Sequence, residues 1–187
     1  MPSCCDYACI TEGELRPTYD PLPLEDQVAA AEPISFEGLT DLQVFGRWAE
    51  VMRELARRGL IWSGKSPLAD YAELLVARRD GVGPVRGTTP GYDLITREGR
   101  KVQVKSRRYG PGSKPSHFGD FSEFERQGFD DFVGVLFEAD FEVRAAYLAP
   151  YEWVAERVRV VKGKHRLYIS TVLDAADSLK RLELDQS

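Results

Sequence analysis

Two histidines and three cysteines are all this 187-residue sequence has of the residues that most often bind zinc or bridge chains. Cys4, Cys5 and Cys9 crowd into the first ten positions, are odd in number and have no histidine beside them. That pattern excludes a disulfide framework and points to reduced thiols in a tail, or else to three thiolates awaiting a distant fourth ligand. No apolar run approaches the roughly 18–20 residues that span a bilayer, and no basic, then apolar leader opens the chain, so the expectation is a cytoplasmic protein without a membrane segment. Nor is there a general excess of positive charge. The formal net charge is −5, which argues against a protein coated in basic residues.

With 43% apolar and 29% charged residues, the chain can bury the core of one ordinary domain without staples. The charge is unevenly spread. Between Cys4 and Asp41, acidic residues from Asp6 to Glu37 face a single base, Arg16, and Pro17, Pro21, Pro23 and Pro33 break any regular structure. Residues 1–38 are therefore an acidic, Pro-rich segment, a docking arm for a partner protein or a flap over a basic surface. Residues 39–187 form the folded domain. From Arg97 to Lys114 the balance reverses, with only Glu98 opposing seven cations. Within this stretch Arg100, Lys101, Arg107, Arg108 and Lys114 are the candidates for a nucleic-acid-binding surface, the alternative being a solvated charged hairpin.

Apolar positions from Leu42 to Ala56 recur every three or four residues and predict an amphipathic helix, capped by Thr40 or Asp41 and ended by Gly59. A second helix is predicted from Ser66-Pro67 to about Arg79, closing at Gly81, with Leu68, Tyr71, Ala72, Leu75 and Val76 as its buried stripe and Glu73 at the border. Tyr92–Thr96 and Lys101–Ser106 read as a hairpin around Glu98-Gly99-Arg100. Tyr109–Gln127, rich in glycine, proline and serine, reads as a long loop with a short helical turn. Its aromatic residues, Tyr109, Phe118, Phe121 and Phe124, either fill the core or stack on bases. Strands are predicted at Phe132–Glu138, Val143–Leu148 and Leu167–Ile169, and helices at Tyr151–Arg157 and Thr171–Arg181. The order implies an α/β fold with a central sheet.

On the second hairpin strand Gln103 and Lys105 share a face, Val102 and Val104 point to the core, and Asp93 on the first strand can reach the Gln103 face. A carboxylate, an amide oxygen and an ammonium in one small volume suit a hard divalent cation beside a phosphodiester. A competing pattern, Gly59-Leu60-Ile61-Trp62-Ser63-Gly64-Lys65-Ser66, spells the phosphate-binding G-x(4)-G-K-[ST]. It follows a helix rather than a strand, carries bulky residues where backbone must wrap phosphate, and precedes Pro67, so it reads as a connector. His117 and His165 stand alone, outside any metal spacing.

The ordered set Tyr71-Ala72-Glu73-Leu74-Leu75, Gly91-Tyr92-Asp93-Leu94 and Val102-Gln103-Val104-Lys105 resembles the PD-(D/E)xK superfamily of restriction-endonuclease-like proteins, in its Mrr-like QxK variant, over roughly residues 66–148. Two departures stand out: Pro90 lies three residues before the aspartate, and Gln103 replaces the second carboxylate. The resemblance implies a restriction-endonuclease-like central mixed β-sheet flanked by α-helices. It further implies a metal-dependent endonuclease hydrolysing DNA, in restriction or phage defence. Asp93, Gln103, Lys105 and Glu73 would be catalytic. Asp93, the Gln103 side-chain oxygen, the Val104 carbonyl and Glu73 would hold Mg²⁺ or Mn²⁺, more weakly than a second acid would allow. Cutting both strands implies a homodimer. The rival expectation is a catalytically inactive nucleic-acid-binding or protein-interaction subunit of the same fold.

Overall fold

The computed structural model describes residues 34–63, 66–86, 91–110 and 114–187. The chain divides into two compact units, Met1–Thr40 and Asp41–Ser187. Of the first, residues 34–40 are described, where the Leu39 N–H donates to the Phe36 carbonyl to close a turn. The three cysteines and nearly all of the acidic, Pro-rich segment lie outside the described residues.

The second unit is mixed α/β. Helices α1 (Asp41–Arg57) and α2 (Pro67–Asp80) precede strands β1 (Leu94–Ile95), β2 (Lys101–Arg108), β3 (His117–Phe121), β4 (Asp131–Phe137) and β5 (Val143–Pro150). Helix α3 (Tyr151–Ala155), strands β6 (Arg159–Val161) and β7 (Lys164–Tyr168), helix α4 (Ile169–Asp174) and strand β8 (Lys180–Arg181) complete it. Five strands make a mixed sheet in the order β1-β2-β4-β5-β8, in which β2 and β4 are parallel and the other pairs antiparallel. Three more make a second, antiparallel sheet, β3-β7-β6.

Strand β4 is buried on both faces, which is why it reads as a continuous apolar run. Its Val133, Val135 and Phe137 join Val102, Val104 and the Ala72, Leu75 and Val76 stripe of α2 in one core. Phe132 and Leu136 point the other way, into an aromatic core with Phe118, Phe121, Phe124 and Phe129 beneath the second sheet. The aromatic residues of the 109–127 stretch, Phe118, Phe121 and Phe124 among them, are thus core, with Tyr109 packed half-buried against it. Strand β2 is covered on both sides, so Gln103 is buried along with Val102 and Val104.

Helix α2 follows its sequence signals: Pro67 occupies the first turn, although the Ser66 side chain makes no capping bond, and Gly81 ends it in the left-handed conformation. Helix α1 forms where its periodicity predicts, yet none of its residues is buried, and Leu42, Phe45 and Trp48 are 81%, 71% and 51% exposed.

Three expectations need correction. The stretch 109–127 contains strand β3, hidden because a bulge between His117 and Asp120 breaks the two-residue alternation, with Gly119 at φ 112°. The last predicted strand is the second arm of a hairpin whose two-residue turn, Lys162-Gly163, has φ of 51° and 72°, as a type I′ turn requires. The predicted closing helix stops at Asp174. Its continuation becomes β8, which covers the open edge of β5 through Tyr147↔Arg181 and Leu148↔Lys180.

Candidate active site

Strand β1 pairs with β2 in the register Leu94↔Val102, so Asp93 stands opposite Gln103, on the same face of the sheet. The Asp93 N–H donates to the Val102 carbonyl at 2.8 Å, anchoring the residue as an extension of the ladder. Just upstream, Gly91 holds φ 100°, and a Cβ there would stand 3.0 Å from the Gly128 Cα. Two loops thus cross backbone to backbone and fix where β1 begins, a packing that a side chain at Gly91 would spoil.

One oxygen of the Asp93 carboxylate, Oδ2, accepts from the Val104 N–H at 2.7 Å and from the Gln103 side-chain Nε2. The Gln103 amide, 4% exposed, is therefore oriented by the aspartate it faces. Lys105, two residues along and on the same face, is half-buried, with its ammonium 5.7 Å from the Phe121 ring centroid. From α2, Glu73 approaches closely enough that the Asp93 charge acts on it and its own charge acts on Lys105. The structure thus brings Glu73, Asp93, Gln103 and Lys105 into one cluster, and Val104 joins it through its backbone.

The electrostatics of the cluster are unusual. Burial, then the neighbouring Asp93 and Asp70 charges, push Glu73 up to about 8, against a smaller downward pull from Lys105. Burial also raises Asp93, partly offset by the Val104 N–H, Lys105 and Gln103. Lys105 is itself lowered, chiefly by burial, with Arg107 adding to the effect and Asp93 opposing it. Two carboxylates and one ammonium thus share a partly dry volume in which the positive charge present does not satisfy the negative groups.

Asp70, 3% exposed and one turn before Glu73, accepts from the Trp62 and Ser63 N–H groups at 2.7 and 2.6 Å. These amides belong to the stretch that spells the phosphate-binding pattern. They donate to a carboxylate of the chain itself, and a helix precedes them where a P-loop has a strand. Gly64 and Lys65 lie outside the described residues.

The five candidate cations have separate placements. Arg100 clasps Asp131 with both arms, at 2.5 and 2.7 Å, and Arg107 turns inward to the Ser106 and His117 carbonyls. Lys101 lies over the Tyr92 ring, Arg108 over Phe141, and Lys114 is exposed. Neither histidine enters the cluster: His165 stacks on Phe124, with ring centroids 4.9 Å apart, and His117 Nδ1 meets the Ser116 hydroxyl. Sequence reasoning missed Asp70 and the Arg100–Asp131 pair. Asp70 left one signal, its three-residue spacing from Glu73 on the same helix.

Among the described residues, no three His, Cys, Asp or Glu side chains gather in a cation-sized group, and no helix is long and apolar enough to cross a membrane. Any metal held here would draw on Asp93 and Glu73 together with neutral oxygens of Gln103 and Val104. Compared with protein-family models and with curated proteins, the sequence matches none.

Proposed function

We propose that this protein is a metal-dependent endonuclease that hydrolyses DNA phosphodiester bonds, with a restriction-endonuclease-like arrangement of the PD-(D/E)xK kind, working in restriction or phage defence. The observation that carries the reading is the convergence of Asp93, Gln103 and Lys105 from one antiparallel strand pair with Glu73 from the helix packed on it.

The donor set fits a hard divalent cation, Mg²⁺ or Mn²⁺. All its atoms are oxygens, and two carboxylates whose proton affinity is raised lack the positive charge such an ion brings. Asp93 and Glu73 would hold the ion, with the Gln103 and Val104 oxygens beside them. When bound, the cation supplies Lewis acidity at the phosphoryl oxygen and a more acidic water.

The remaining work falls to the chain. The Val104 N–H and the Gln103 amide hold one Asp93 oxygen, which fixes the orientation of the carboxylate. Lys105, seated between Asp93 and the Phe121 ring, presents its ammonium to the charge that develops on the phosphoryl oxygens, where partial burial strengthens it.

A second reading, a nucleic-acid-binding or protein-interaction subunit without activity, draws on Gln103. Its buried amide brings no charge and already donates to Asp93. Plasmid nicking separates the two. The expected result is Mg²⁺- or Mn²⁺-dependent cleavage, stopped by chelator and lost in Asp93→Ala; cleavage that persists in Asp93→Ala would sink the catalytic assignment.

A further inference from the structure

Strands β6 and β7 carry Arg157, Arg159, Lys162, Lys164 and Arg166 on and beside them, and no acidic residue interrupts residues 157–173. In the second sheet the register places Arg159 opposite Arg166, and Arg166 opposite Asp120, so the three form one row across β6, β7 and β3 on one face. The alternation along β7 settles which face that is. Leu167 is buried and His165 stacks against Phe124 in the core, so Lys164, Arg166 and Tyr168 point outward. His117, opposite Tyr168, lies on the same side.

We infer that this outer face of β3-β7-β6 binds the sugar–phosphate backbone of the nucleic acid on which the Asp93–Lys105 site acts. The inference rests on the nuclease reading for the identity of the polyanion, and on the following geometry for the surface. Like charges directly opposed on neighbouring strands destabilise a sheet, yet Arg159 faces Arg166 here. Among the described residues, Asp120 is the carboxylate that pairs with this row. It takes Lys164 on one oxygen and Arg166 on the other, each at 2.7 Å, and so holds both side chains upright while leaving most of their N–H donors unused by that pair. The Arg159 guanidinium lies 5.2 Å over the Tyr168 ring, an aromatic platform at the end of the row. A polyanion would relieve the opposed arginines and meet donors already in place.

The face also adjoins the candidate site. Phe121 of β3 lies under the Lys105 ammonium, the Asp120 charge acts on Lys105, and Arg107 of β2 donates to the His117 carbonyl at 3.0 Å. A Cβ on Gly119 would stand 2.6 Å from an Arg107 guanidinium nitrogen, so that glycine opens the passage by which β2 reaches β3. The row and Lys105 are thus linked through β3, whose inner side carries Phe121 and whose outer side carries Asp120.

The test is fluorescence anisotropy of the full chain with a labelled DNA duplex, in chelator so that cleavage cannot occur, across a salt series. Arg159→Gln combined with Lys164→Gln is expected to weaken binding at least tenfold at low salt and to reduce the log–log salt slope by about 2, roughly one unit for each phosphate left without its cation. Arg53→Gln with Arg57→Gln on α1 removes the same charge elsewhere and is expected to change neither quantity. Thermal melts verify that both variants are folded. Wild-type affinity and slope in the β6-β7 variant would overturn the assignment, as would an equal loss in the α1 variant or a wild type that does not bind duplex. Plasmid cleavage in Mg²⁺ keeps the two proposals separate. Wild-type cleavage with unchanged binding in the β6-β7 variant removes this surface alone; weakened binding in that variant, with a wild type that never cleaves, removes the catalytic reading and leaves the surface.

Discussion

Beside β1 and β2, Glu73 is pushed up to about 8 and Asp93 is raised, both by burial, whereas on β3 Asp120 is held down at about 2 by its bonds to Lys164 and Arg166. Asp131, elsewhere on the main sheet, is 6% exposed and fully paired with Arg100. The two regions differ in where the cations are. The β3-β7-β6 face is oversupplied with positive charge and neutralises its single acid, while the cluster at β1, β2 and α2 is undersupplied and keeps its acids unsatisfied. A carboxylate beside enough positive charge is held in its charged form, and one buried with too little takes up its proton more readily.

The comparison can be broken most forcefully at Lys105, the cluster's own ammonium. Lys105→Met is expected to lower plasmid cleavage by about two orders of magnitude or more, with duplex binding in chelator nearly retained, because the loss falls on charge that develops during reaction. Equal losses of binding and cleavage would place Lys105 on the binding face instead. Next comes Arg100→Ala, which leaves the Asp131 carboxylate buried without its partner and is expected to destabilise the fold by about 2 kcal/mol, less than a wholly buried pair because Arg100 is half in solvent. Urea unfolding at neutral pH measures it, and an unchanged midpoint would mean that the pairing is ornamental.

Glu73 gives a smaller effect with a definite sign. The folded state keeps its proton up to about 8, whereas the unfolded chain releases it near the ordinary 4.5. The contribution of Glu73 is therefore fully present below about 4.5 and drains away as pH rises through 8. Glu73→Gln should flatten that decline in metal-free protein and exceed the wild type above pH 8 by about 1–2 kcal/mol, a value reduced for the half-exposed side chain. Melting curves in chelator from pH 5 to 9 show it, and parallel profiles would contradict the raised affinity. Smallest is Asp120→Asn. The pairing of Asp120 stabilises above about 3.8 and fades as pH falls toward 2, so the variant should melt a little lower than the wild type at neutral pH, with the gap closing as pH falls toward 2, and bind duplex more tightly. Weaker duplex binding would show that holding Lys164 and Arg166 upright matters more than removing an acid.

Much of the cluster was legible because local rules govern it. The Glu98-Gly99-Arg100 turn and two-residue alternation place Gln103 and Lys105 together, and the α2 stripe puts Glu73 at its border. Burial of Gln103 was not legible, since the second sheet that covers it comes from β3 and the β6-β7 hairpin. Those strands were obscured by the bulge at Gly119 and by cations where alternation is usually marked by apolar residues. The periodicity of α1 announced an apolar face truthfully but held no information about whether anything packs on it. Likewise, the basic run at 97–114 could be counted, but the pairing of Arg100 with Asp131 and the turn of Arg107 toward β3 depend on residues that lie elsewhere in the chain.

The parallel pairing of β2 with β4 has a consequence for the order of folding. Parallel neighbours cannot be joined by a tight turn, so the chain must travel out and back between residues 108 and 131, and β3 is made from that excursion. Its partner β7 lies far downstream; Asp120 and Arg166 are 46 residues apart. A hairpin such as β1-β2 closes within microseconds, whereas pairing at such a separation waits on the entropy of a large loop. During synthesis, the β1-β2 pair is therefore expected to close before the sheet β3-β7-β6 is complete. If the proposed function holds, a ribosome-bound chain would carry Asp93 and Lys105 before the surface proposed for its substrate, which waits for residue 166 to emerge.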